Sequence, residues 1–173
     1  MRASPKPSRT PRPGTGLDRA VPVASLEGVL EVKLTRLDPD LRLPAYAKSG
    51  DAGLDLCARV RATVPAAGGR VAVPTGVAVA IPDGYAGFVL PRSGLALRHG
   101  VTLANAPGLI DSGYRGELEV ILLNTDPDAN FEVTRGDRIA QLVVQRVETV
   151  TLAVVAQLDG TERGAGRFGH TGR

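Results

Sequence analysis

Three short segments carry side chains suited to phosphate and proton chemistry. Pro91-Arg-Ser-Gly-Leu95 sets a guanidinium, a hydroxyl and a glycine amide in succession. Each donates to phosphate oxygens, and the start of a helical turn adds partial positive charge. Ser93 read alone is equally an N-cap of a short helix. Gly108-Leu-Ile-Asp-Ser-Gly-Tyr-Arg-Gly116 places Asp111 after an apolar pair, in a Gly-punctuated turn with Tyr114 three residues on. One reading is an Asx-turn closing a hairpin, with Tyr114 packed over it. The other is a carboxylate general base beside an aromatic platform for a sugar or base. Taken alone, the motif favours the turn. Asp51-Ala-Gly-Leu-Asp-Leu56 sets two carboxylates four apart, on one face of a strand. Magnesium needs only one or two carboxylates plus water and phosphates, so this is a hard-cation site or a hydrated edge strand. In Arg135-Gly-Asp-Arg-Ile-Ala-Gln-Leu142, a tight turn enters a buried strand, and Gln141 needs a partner if it faces inward.

The C-terminal segment, residues 159–173, has five glycines and one apolar ring. It has no core of its own and reads first as a frayed tail. Its accessible backbone amides also suit phosphate oxygens, with Arg163, Arg167 and Thr171 beside them. A flexible arm of this kind excludes water from a site when it orders over an anionic ligand.

The elements that must hold these groups are short strands. Leu30, Val32 and Leu34 alternate with Glu31, Lys33 and Thr35, the period of a half-buried strand. Two further runs, 71–73 and 77–81, are punctuated by Pro74-Thr-Gly76, and Pro82-Asp-Gly84 turns into a strand over 85–90. Residues 118–123, 138–147 and 150–157 complete the expected strands, with one helical turn around 93–98 bracketed by Gly94 and Gly100. Aromatics are only 3% and Trp is absent, so the core is aliphatic; Gly 21 and Pro 13 supply turns. The expected class is all-β, a sandwich or jelly roll.

The net charge of +3 invites a nucleic-acid reading that position argues against. Residues 1–27 hold five basic and two acidic side chains, and the remainder holds 16 of each. The body therefore lacks an electrostatic footprint for DNA, and nucleic acid is not an expected partner. The Pro- and Ser-rich basic stretch 1–27 is expected to be a disordered tail, with 28–158 as the core and 159–173 as the arm. Cys57 is the only cysteine, which excludes an intramolecular disulfide and a multi-thiolate zinc site. It is expected to be a buried, inert thiol. No apolar run approaches a bilayer span and no signal-type stretch opens the chain, so the expected location is cytoplasmic and no membrane is involved.

In combination and order, D-A-G-L-D-L, P-R-S-G-L-A, G-L-I-D-S-G-Y-R-G, R-G-D-R-I-A-Q-L and R-G-A-G-R-F-G-H-T-G resemble the five successive motifs of the trimeric dUTPases. The resemblance covers about residues 30–172, is strongest to actinobacterial members through L-R-H-G-V and N-T-D-P-D-A, and leaves out the N-terminal tail. It implies a distorted jelly roll in a tight homotrimer with three shared active sites. The implied activity is hydrolysis of dUTP at the α-phosphorus to dUMP and pyrophosphate with magnesium (Mg2+). That reaction keeps uracil out of DNA and supplies dUMP for thymidylate synthesis.

By this similarity Asp111 orients and deprotonates the attacking water, and Asp55 holds the magnesium through water. Arg92, Ser93 and Gly94 bind phosphate oxygens, and Gln141 bonds in the phosphate and water region. Asn105 reads the uracil edge, and Tyr114 packs on the deoxyribose, leaving no space for a 2′-hydroxyl. In the arm, Arg163 contacts the γ-phosphate, Phe168 stacks on uracil, and His170 and Thr171 lie near the γ-phosphate. One departure stands out: Arg167 replaces the second of a usual Gly pair, straining the closed arm or adding a cationic contact. Two rivals remain. The dCTP deaminases share the fold but carry a Glu ten positions past the motif Asp, where this chain has Ile121 with Glu119 two short of it. A non-catalytic trimeric binding protein would have lost the base, the Ser or the arm, and none is missing.

Overall fold

The computed structural model describes residues 28–161 and Gly164. The chain divides into two units, Met1–Glu31 and Val32–Arg173. All the elements below belong to the second. They are β1 (Lys33–Arg36), β2 (Leu54–Cys57), β3 (Ala62–Val64), β4 (Arg70–Ala80), β5 (Tyr85–Leu90), α1 (Ser93–His99), β6 (Val101–Leu103), β7 (Gly108–Ile110), β8 (Glu117–Asn124), β9 (Phe131–Val133) and β10 (Arg138–Arg146).

The strands form two four-stranded antiparallel sheets, ordered β1-β4-β8-β6 and β2-β10-β5-β7, and a β3-β9 ribbon. One buried cluster takes Val73, Val79, Leu118 and Leu122 from the first sheet, Leu56, Val89, Ile139 and Leu142 from the second, and Val64 and Val133 from the ribbon. This is the distorted jelly roll the sequence predicts, closed by aliphatic side chains worth about 1.5–3 kcal/mol each on full burial. Alternation is the cause: on β8, Leu118, Val120 and Leu122 face in while Glu119 and Ile121 face out.

The expected boundaries hold closely for β5, β8 and β10. The helical turn is also present, and ends at Gly100, whose φ of 62° lets its N–H close onto Ala96 and Leu95 carbonyls. Cys57 closes β2 as a buried thiol whose pKa burial pushes up.

Four expectations need correction. The runs 71–73 and 77–81 are one strand, β4, whose register against β8 shifts between Pro74 and Ala78. Pro74 faces Glu119 and Ala78 faces Glu117, so three residues of β4 bulge opposite Leu118 alone. The bulge absorbs the proline and glycine without ending the strand. Leu30 lies before β1, which begins at Lys33. Asp51 and Asp55 do not share a strand face, because β2 begins only at Leu54. The Asp51 carboxylate instead accepts the Lys48 backbone N–H at 2.8 Å in an exposed turn. Finally, residues 150–157 form no strand within the chain. Their alternation is real, but it leaves Val150, Leu152 and Val154 at 74%, 88% and 100% exposure, because among the described residues no partner strand lies beside them.

Candidate active site

Asp55, Gln141 and Leu90 stand on one rung across β2, β10 and β5. Directly opposed residues of an antiparallel pair point to the same face. Leu56, Ala140, Leu142 and Val89, their buried neighbours in sequence, face the core, so this rung faces outward. Gln141 thus does not enter the core. Its side chain lies against Gly53, where an added Cβ would stand 3.0 Å from the Gln141 Cβ. The glycine of D-A-G-L-D-L is there to admit the glutamine of R-I-A-Q-L.

Two guanidinium groups converge on Asp55. Arg138 Nη1 donates to its Oδ2 at 3.0 Å, and Arg92 Nε lies 3.3 Å from its Oδ1. Arg92 also donates to the Arg138 carbonyl at 3.1 Å, which fixes the two cations relative to each other. Asp55 is 8% exposed, and among the described residues its Oδ1 is buried with no hydrogen-bond partner. A buried carboxylate oxygen in that condition calls for a further donor or cation. The trio has a surplus of one positive charge and suits an anionic ligand. A cavity of about 260 Å³ opens on Asp55 and Arg138, walled by Arg42 and Tyr46. Another, of about 360 Å³, opens on Arg92 and Arg138 and is walled by Leu95, His99 and Phe131. Arg138 is the residue that sequence reasoning missed. Its signal was a cation opening a strand whose next two residues, Ile139 and Ala140, are apolar.

Arg92 is also the N-cap of α1, which has no side-chain cap. Ser93 is therefore the first helical residue rather than its cap, and it is exposed directly after Arg92. This removes the purely structural reading of the serine.

Asn105, Asp111 and Tyr114 occupy a second place. The chain crosses from β6 in one sheet to β7 in the other through residues 104–107, with a cis Ala106–Pro107 bond. The Asn105 amide folds back on buried Gly108, 3.2 Å from where a Cβ would stand. Asp111 follows β7 and is exposed. The expected Asx-turn is a plain backbone turn, in which the Tyr114 N–H donates to the Asp111 carbonyl at 3.1 Å. Among the described residues no donor engages the Asp111 carboxylate. Tyr114 does pack over the turn: its ring covers Gly116 and its hydroxyl donates to the Glu117 carbonyl at 2.8 Å.

The register separates these two places. Ile110 pairs with Gly87, while Asp55 shares the rung of Leu90. Asp111 is therefore four residues down the sheet and three strands across, a separation of about 19 Å at ordinary strand spacing and rise. Within one chain the carboxylate of Asp111 cannot meet the Asp55 cluster. Arg163, Phe168, His170 and Thr171, with Arg167, lie outside the described residues.

These features have close counterparts in known proteins. The dUTPase family model matches residues 40–172. The deoxyuridine 5'-triphosphate nucleotidohydrolase of Thermobifida fusca is 54% identical over 163 residues, covering 93% of this chain and 90% of that protein. Its namesake in Streptomyces coelicolor is 58% identical over 143 residues, covering 83% and 78%. The solved dUTPase of Staphylococcus bacteriophage 80alpha with dUPNHPP superposes with a TM-score of 0.77 at 26% identity, covering 84% of this chain and all of that one. By fold, by motif order and by identity over most of its length, this chain belongs to the dUTPase family.

Proposed function

We propose that this chain is a dUTP diphosphatase acting as a homotrimer, each active site assembled from several subunits. The separation of about 19 Å between Asp111 and the Asp55 cluster carries this reading, since reaction requires both to act on one triphosphate. A second copy supplies the missing half. The bare alternating strip at residues 150–158 supports assembly too, because Leu152, Val154 and Leu158 are 84–100% exposed in the single chain. Exposed apolar side chains along one segment suit a contact with another chain.

In the assembled site, Arg92, Ser93 and Gly94 hold phosphate oxygens, and Arg138 adds a second guanidinium. Gln141 is fixed beside Asp55 and bonds in the phosphate and water region. Asp111 of another subunit orients a water on the α-phosphorus and takes its proton. The new oxygen–phosphorus bond forms as the bridging bond to the β-phosphate breaks, and pyrophosphate leaves with the electron pair. A carboxylate is a weak base at neutral pH, so positioning and charge stabilisation carry most of the acceleration. Asn105 meets the uracil edge from its turn. Tyr114 lies against the deoxyribose, and a 2′-hydroxyl would collide with its ring. Arg163, Phe168, His170 and Thr171 close the site from the arm.

The donor set fits magnesium that arrives on the triphosphate. Among the described residues no group of three or more acidic, His or Cys side chains could cage a metal. Magnesium characteristically takes one or two carboxylates plus waters and substrate phosphates, and the Asp55 Oδ1, without a hydrogen-bond partner among the described residues, would hold one such water. When bound, the ion supplies charge neutralisation at the phosphates.

Deamination of dCTP is disfavoured: Ile121, at the expected base position, is an apolar side chain on the outer face of β8. The test is pyrophosphate release from dUTP, UTP, dTTP and dCTP, with magnesium and with chelator, for wild type and Asp111→Asn. Fast magnesium-dependent release from dUTP alone, lowered at least ~10²-fold by the substitution, supports the reading. Ammonia from dCTP, or no release from any substrate, overturns it.

A further inference from the structure

Tyr114 is held by the strand that follows it. Its hydroxyl is committed to the Glu117 carbonyl at 2.8 Å. Its ring sits so close on Gly116 that a Cβ there would be 2.6 Å from the hydroxyl oxygen. Tyr114 therefore offers a ligand its ring rather than a hydrogen bond, and the position of that ring depends on where Glu117 lies.

Glu117 is itself fixed from behind. Its Oε1 accepts the Gly76 N–H at 2.7 Å, and its Oε2 accepts from Arg59 Nη1 at 3.1 Å. Gly76 lies in the β4 bulge, with φ of 75°, and its amide has left the ladder with β8. A bulge amide without an acceptor would be orphaned, so the carboxylate and the bulge specify each other. Arg59 is anchored in turn: its Nε is 3.5 Å from Asp38 Oδ2, and its carbonyl accepts Arg135 Nη1 at 2.7 Å. Arg135 also donates to Asp38 Oδ1 at 2.9 Å. The Glu117 side chain is only 22% exposed, unlike a freely solvated surface partner.

We propose that Glu117 is a positioning residue for sugar discrimination, setting Tyr114 through its carbonyl because its carboxylate is locked into the β4 bulge. The proposal rests on the reading of Tyr114 as the wall against the deoxyribose. A wall rejects a 2′-hydroxyl only while it stays in place, and a displacement of about 1 Å is enough to change such selection. A Glu117 that served the bulge alone would contribute stability and leave selectivity untouched.

The experiment measures kcat and KM for dUTP and UTP in Tyr114→Phe, Glu117→Gln, the double variant and Tyr114→Ala, with melting temperatures alongside. Gln at 117 keeps an oxygen for the Gly76 amide but loses the charged contact with Arg59. The dUTP-to-UTP ratio of kcat/KM should fall about 10-fold in Tyr114→Phe and about 3-fold in Glu117→Gln, mainly through KM. The double variant should be no worse than Tyr114→Phe, because both act through one bond. Unchanged selectivity in Glu117→Gln, with or without a lower melting temperature, overturns the proposal, as do losses that multiply in the double variant. Tyr114→Ala separates the two levels. If it keeps wild-type selectivity, the reading of Tyr114 itself fails; if it alone loses selectivity, only the role of Glu117 fails.

Discussion

Mixing two dead subunits tests the shared site directly. On the proposed mechanism Asp111→Asn removes the base, and Arg92→Ala removes a phosphate contact together with one of the two cations on Asp55. Each alone should lower turnover at least ~10²-fold. The β5 register keeps Asp111 about 19 Å from Asp55 in one chain, so the proposed site takes its two halves from different chains. In a 1:1 mixture, unfolded and refolded together, each site draws its Asp111 and its Arg92 independently. One half of draws is intact for each, so about a quarter of sites are complete and the mixture should recover roughly 25% of wild-type turnover. That exceeds either parent by more than ~10-fold. The assay is pyrophosphate release at fixed total subunit concentration, with parents mixed but not refolded as the control. If each chain carried a complete site, no combination would restore one, and the mixture would show only the parents' residual rates. That result would refute the register argument.

Other substitutions probe single contacts. Gly53→Ala drives a Cβ to 3.0 Å from the Gln141 Cβ; turnover should fall about 10-fold with a loss of about 1 kcal/mol in denaturant unfolding. Asn124, 0% exposed, bonds the Val64 and Ala129 carbonyls and the Asp126 N–H. Asn124→Leu orphans all three groups and should cost about 3 kcal/mol by the same measurement. Hydrogen bonding to Arg135 holds Asp38 well below its ordinary value of 3.8. A depressed carboxyl contributes stability above its unfolded pKa and loses it as pH falls toward the folded one. The stability gap between wild type and Asp38→Asn should therefore shrink from about pH 5 down to about pH 2.5, and a flat gap would contradict this. The double change Leu152→Asp with Val154→Asp puts charge on the bare strip. Sedimentation should then report smaller species at low micromolar concentration, with activity lost in parallel.

Much of this molecule could be read from its sequence, for identifiable reasons. Strands β5, β8 and β10 are long enough to carry a period of two, and Gly100 marks the end of α1 because only a left-handed residue closes it there. Strands β3, β6, β7 and β9 have three residues each, too few to display any period, and so escaped notice. Residues 150–157 display the period without a partner strand among the described residues, and a period alone does not say whether a strand is paired. At the site, the order of the motifs located both halves, but not the distance between them, because register is set by pairings such as Ile110 with Gly87. The pairing of Asp51 with Asp55 failed because a four-residue spacing implies one face only inside a strand, and the strand starts later. Arg138 was overlooked because an arginine after a turn is ordinarily solvated; only the fold brings it to Asp55.

The clasp of Asp55 between Arg92 and Arg138 also bears on what the site ignores. A simple anion such as chloride or inorganic phosphate must compete with the Asp55 carboxylate for both guanidinium groups, and drawing them off leaves that carboxylate buried without its counter-charges. A ligand that carries a cation within its own chelate meets both demands at once, offering negative oxygens to the arginines and positive charge toward the aspartate. The resting ion pairs therefore act as a filter by sign. They make the empty site a poor trap for abundant monovalent and inorganic anions, and reserve its full electrostatic attraction for ligands of mixed charge.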